Sequence, residues 1–161
     1  MNYKKVPMHG MFIALALVMS YVESILPLHM GIPGAKIGLP NIVIVIVLYK
    51  AGEKSACIIS MIRIILVGFL FGNLFGIVYS IMGALFSLGI MIFLKRNIGF
   101  SVYGVSMAGG VMHNLGQLVT AMIVMETKEL VYYLPVLTVV GTITGILIGI
   151  VSGNVIKRLP S

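Results

Sequence analysis

The stretch VVGTITGILIGIVSGNVIKR, residues 139–158, holds eighteen uncharged residues and then Lys157 and Arg158. A helix needs about 20 mostly apolar residues to cross the ~30 Å hydrocarbon core of a bilayer. The segment is therefore read as a membrane span whose cationic end lies in water. Gly141, Gly145, Gly149 and Gly153 recur every fourth residue within it. Four residues turn an α-helix by about 400°, so these glycines draw a slowly drifting groove along one face. Lipid gives helices no hydrophobic reason to associate; close backbone approach at small residues does that work instead. The segment predicts one member of a packed membrane bundle.

The rest of the chain agrees. Of its 161 residues, 60% are hydrophobic and 9% charged, against about 25% charged in an ordinary soluble domain. Such a chain cannot clothe a soluble surface. Six segments approach span length, at about 8–26, 39–51, 55–71, 72–94, 101–125 and 132–156, and the second is short for a full crossing. Residues 1–23 loosely imitate a signal peptide but lack a small-x-small cleavage site, so they are read as a retained first helix.

The net charge of +7 tests this count. With the N-terminus in the cytoplasm, Lys4, Lys5, Lys50, Lys54, Lys95, Arg96, Lys157 and Arg158 all fall inside, and only Lys36 and Lys128 fall outside. That is the bias expected of cytoplasmic loops, and an odd number of spans would scatter these pairs over both faces. The expectation is an all-α polytopic bundle of six transmembrane helices. It forms a single integral membrane domain, 1–161, with both ends in the cytoplasm of a bacterial-type plasma membrane. Small residues recur in the fourth segment too, at Gly72, Gly76, Ser80 and Ala84.

Ionisable and amide side chains at membrane depth are costly and are functional candidates by default. They are Glu23 near the outer end of the first helix, Arg63 near the middle of the third, Asn73 at the junction of the third and fourth, and His113, Asn114 and Gln117 in the fifth. At 3.6 residues per turn, Gly109, His113, Gly116, Gln117 and Thr120 share one stripe. A small and polar stripe on a membrane helix faces the bundle interior. Asn114 points elsewhere, toward a neighbouring helix. For His113 and Gln117, lining of a binding site and a satisfied structural network both stand. Arg63 needs an anion or several acceptors, and either an ion pair with Glu23 or a bound anionic group would supply them. Lys36 sits in GIPGAKIGLPN, residues 31–41, where prolines and glycines prevent a regular helix. The positive-inside bias gives it no reason to be there.

Several chemistries are excluded. The chain has no aspartate, so the paired carboxylates that hold Mg²⁺ against a diphosphate are missing. No G-x-x-x-x-G-K-[ST] loop is present, and no Cys/His spacing suits a metal. Cys57 is the lone cysteine and is read as a packing residue. Neither a catalytic residue nor a metal or other cofactor is expected.

The stretch 33–42, PGAKIGLPNI, resembles a signature of the Gx transporter family, whose members are also catalogued as heptaprenyl diphosphate synthase component I. Pro40 departs from the Ala expected before Asn41. The resemblance covers most of the chain and extends to the S components of energy-coupling-factor (ECF) vitamin transporters. It implies an ECF S-component-like bundle that captures a small anionic or vitamin-like molecule from outside, under a lid formed by the loop between the first two helices. Glu23, Lys36, Asn41, Arg63, Asn73, His113 and Gln117 would bind that substrate. Gly10, Ala14, Ala16 and Ser20 of the first helix would dock a transmembrane coupling subunit driven by ATPase subunits. The alternative is a membrane accessory subunit of heptaprenyl diphosphate or menaquinone biosynthesis, not itself an enzyme. A channel or proton-coupled carrier working alone is a third reading, weakened by the lack of an acidic relay beyond Glu23.

Overall fold

The computed structural model describes residues 5–25 and 38–159. Within them the chain forms six α-helices: α1 (Lys5–Ile25), α2 (Leu39–Lys50), α3 (Glu53–Phe71), α4 (Leu74–Asn97), α5 (Val102–Val124) and α6 (Leu134–Arg158). A short 3₁₀ helix, Lys128–Tyr133, leads into α6. The result is an all-α, multi-span membrane bundle. Five helices are long and apolar enough to cross a bilayer; α2 is not. Its 12 residues rise about 18 Å at 1.5 Å each. The six-span expectation thus meets five full-length spans and one short helix.

The burial of α2 explains how a short helix is accommodated. Val43 to Leu48 are all buried, so α2 is enclosed all round, as expected of a helix apolar on every face. It packs on α1, α3 and α6, and Leu88 and Met91 of α4 and Val105 of α5 complete the same core. A two-residue break separates α3 from α4. There Gly72 is extended and Asn73 caps α4, its Oδ1 accepting from the Gly76 N–H at 2.7 Å.

The tightest packing joins α4, α5 and α6. A Cβ placed on Gly145 would lie 2.7 Å from Met107 Cα and 2.8 Å from Ser106 O, and one on Gly149 would lie 3.0 Å from Tyr103 Cα. The groove of α6 therefore receives the backbone of α5 itself. Two side-chain bonds lock the pair: Ser106 Oγ donates to Gly145 O at 2.8 Å and Asn114 Nδ2 to Leu137 O at 2.9 Å. On α4 the close approach falls elsewhere than the sequence reading placed it. Gly83, outside the Gly72/Gly76/Ser80/Ala84 series, is the residue whose Cβ would meet α5, 2.9 Å from Gln117 Cγ and from His113 Cε1.

One end of the bundle gathers the cations. Lys50 Nζ donates to Leu159 O at 2.7 Å, and Lys95 Nζ donates to Leu48 O at 2.7 Å while standing 5.1 Å from the Tyr49 ring centroid. His9 Nε2 and Ser55 Oγ share a hydrogen bond of 2.8 Å. Arg96 grips Glu53 with two nitrogens, Nε to Oε1 at 2.7 Å and Nη2 to Oε2. These contacts bring the start of α1 and the end of α6 to the same end of the bundle. The Arg96 side chain is 66% exposed, and exposed ion pairs contribute about 0–1 kcal/mol. Glu53→Ala is accordingly expected to move the thermal midpoint in detergent by no more than a few degrees.

Candidate functional site

Local chain geometry places each of the candidate polar side chains. Pro40 starts α2 where its missing N–H costs nothing, but Gly38 at the cap position has no side chain to satisfy the first amides. Glu23 of α1 does this instead. Its Oε1 accepts from the Gly38 N–H and, at 3.3 Å, from the Leu39 N–H. A carboxylate on the amides that open a helix is favoured by both hydrogen bonding and the helix dipole. Gly38 itself holds φ +80°, a left-handed conformation open to glycine at little cost.

Arg63 lies on the buried stripe of α3. At 100° per residue it falls between Ala56 and Ser60 on one side and Ile59 on the other, and all three are buried. Ten residues from the start of α3 put it about 15 Å into the span. Its Nε is enclosed without a hydrogen-bond partner. Glu23 acts on it electrostatically, yet the Glu23 carboxylate makes no direct ion pair with it among the described residues. The pairing considered from sequence is thus one of distance, and the carboxylate is spent on α2.

On α5, Gly109, Gly116, Gln117 and Thr120 are buried, and His113 lies with Gln117 against Gly83 of α4. One turn further in, a void with room for about one water separates α2, α4, α5 and α6. Asn41, Ser87, Met91, Ser106, Gly109 and Ile148 are among its walls. Ser87 and Ser106 were not singled out in the sequence. Ser87 follows Gly83 by one helical step of four, a spacing that could have found it. Asn114 holds α5 to α6, and the bilayer offers no replacement acceptor donor pair. Asn114→Leu should cost about 0.6–2 kcal/mol of resistance to unfolding by SDS, read from the tryptic pattern or circular dichroism.

The remaining expected site residues fall apart from this layer. Asn73 is exposed at the α3–α4 junction and its side chain caps α4. Lys36 and most of the expected lid lie outside the described residues. The four small residues of α1 divide between two faces: Gly10 and Ala14 are exposed, whereas Ala16 is wholly buried and Ser20 nearly so, its Oγ donating to Ala16 O at 2.8 Å. Among the described residues no group of three or more His, Cys, Asp or Glu side chains could hold a metal ion.

The family model for heptaprenyl diphosphate synthase component I matches residues 12–155. The chain belongs to that family. Comparison with curated proteins and with solved structures found no match. Membership in the component I family overturns the transporter reading: the chain is not placed among Gx or ECF transporters, and substrate capture for uptake falls with that assignment. The resemblance rested on one ten-residue loop and on general features of small membrane bundles. Residues 33–37 of that loop lie outside the described residues, and length, span count and cationic inner loops are shared by unrelated membrane proteins because the bilayer imposes them. The coupling subunit and ATPases were expected only through that resemblance.

Proposed function

We propose that this chain is the membrane-embedded, non-catalytic subunit of a polyprenyl diphosphate synthase. The observation that carries the reading is the family match over nearly the whole chain, in a sequence with no aspartate. Chain elongation of an allylic diphosphate needs Mg²⁺ held by clustered carboxylates. Four glutamates, of which only Glu126 and Glu129 are near one another in sequence, cannot supply that cluster, so the transfer chemistry belongs to a soluble partner. The bundle then gives that partner a bilayer address, where a growing prenyl chain is soluble.

In this reading the domain is one unit, α2 is the sixth traverse, and both ends face the cytoplasm. Lys50, Lys54, Lys95, Arg96, Lys157 and Arg158 then lie at the face a cytoplasmic synthase meets. They suit the diphosphates it handles, since a cationic rim raises the local concentration of anions. Asn41, Arg63, His113 and Gln117 form a polar layer deeper in the bundle. The test is affinity purification of the tagged chain from its native membranes in mild detergent. The expected result is recovery of a soluble prenyl synthase rich in paired aspartates, in stoichiometric amount. Recovery of an ATPase pair, or of no synthase, would count against the proposal.

A further inference from the structure

A guanidinium inside a membrane bundle is stable only where acceptors meet its five N–H groups. Arg63 has none among the described residues: its Nε is enclosed and unpartnered, and no hydrogen bond or ion pair reaches the side chain. The one carboxylate near it is occupied, since Glu23 accepts from the Gly38 and Leu39 amides. Pairing at a distance with Glu23 offsets the charge only in part. Arg63 as a whole is partly exposed, but its Nε is enclosed, so reaching outward leaves that donor without an acceptor.

We propose that Arg63 binds the phosphate group of a membrane amphiphile, either a prenyl diphosphate or a phospholipid. The location selects an amphiphile over free phosphate. A bare anion would have to shed its water to reach a point about 15 Å along the span, whereas an amphiphile brings its charge attached to a hydrocarbon tail that the bilayer already dissolves. The chemistry selects phosphate, because a guanidinium fork matches two phosphate oxygens at once. The proposal holds independently of the synthase reading, which would be favoured only by the prenyl source.

Cys57, the single thiol, lies partly buried in α3. A thiol-reactive fluorophore therefore reports thermal unfolding of the purified chain. Geranylgeranyl diphosphate, phosphatidylglycerol and uncharged geranylgeraniol are titrated in turn. At least one phosphate amphiphile is expected to raise the midpoint saturably while geranylgeraniol does not. Arg63→Gln should weaken that binding by about tenfold or more, and Arg63→Lys by severalfold, because lysine keeps the charge and loses the fork. Arg63→Lys retains the cation and supplies a folded variant should Arg63→Gln not fold. A shift with the diphosphate alone identifies a prenyl ligand. A shift with phosphatidylglycerol identifies a lipid head group, upholding the site while leaving the synthase reading to its own test. Equal titrations of wild type and Arg63→Lys or Arg63→Gln, or no shift beyond that of geranylgeraniol, would overturn the proposal.

Discussion

Gly145→Val is expected to abolish accumulation of the folded bundle. Even a single Cβ at this position would lie 2.7 Å from Met107 Cα and 2.8 Å from Ser106 O, and backbone atoms cannot swing aside as a side-chain end can. Overpacking a well-fitted core costs about 1–3 kcal/mol for a methylene or so, and valine adds three carbons where none fit. The helices would have to part. That would lengthen the 2.8 Å bond from Ser106 Oγ to Gly145 O and loosen the Asn114 contact with Leu137 about two turns away. Gly145→Ala should lose about 1–3 kcal/mol and Gly145→Val enough to prevent folding. Gly89→Ala is the control. Nothing lies within 4 Å of a Cβ there, so alanine should be neutral or stabilise by about 0.5–1 kcal/mol. The yield of monodisperse protein in detergent and the thermal midpoint check all three.

Glu23→Ala carries the second large effect. Among the described residues it removes the only side-chain acceptor that reaches the opening amides of α2, whose own cap residue is a glycine. Losing such a cap costs about 0.5–2 kcal/mol in water. Leaving a buried donor unsatisfied costs about 1–3 kcal/mol, and the bilayer core offers no water in exchange. The variant should therefore lose about 2 kcal/mol or more, with faster hydrogen exchange confined at first to the start of α2. Glu23→Gln keeps a neutral acceptor and should lose less than half as much. A loss below about 0.5 kcal/mol for Glu23→Ala would show that α2 is held by packing alone.

The membrane class and the helices were legible because the bilayer enforces a length and a composition that few residues can satisfy otherwise. The α6 groove was legible for a similar reason: a glycine every fourth residue has little use in a span except close approach. The gap in α4 that admits the His113 and Gln117 side chains was not, because Gly83 belongs to no series and only the partner helix makes its missing side chain necessary. Glu23 shows the same limit. Its position suggested an ion pair with Arg63, but the cap vacancy that claims it exists only once Gly38 comes beside α1. Function was least legible. The lysine-bearing loop before α2 led to a transporter family, while the lack of aspartate, equally visible, pointed away from catalysis and agrees with the family that the whole chain matches.

The central claim is that this chain serves polyprenyl diphosphate synthesis without performing the transfer. The direct test measures incorporation of labelled isopentenyl diphosphate into long-chain product, with an allylic diphosphate primer and Mg²⁺. The purified chain in proteoliposomes should incorporate none alone. With the soluble synthase recovered beside it, product should form faster than with that synthase and empty liposomes, and should remain in the membrane. Incorporation by the chain alone, or identical rate and product distribution with and without it, would contradict the account.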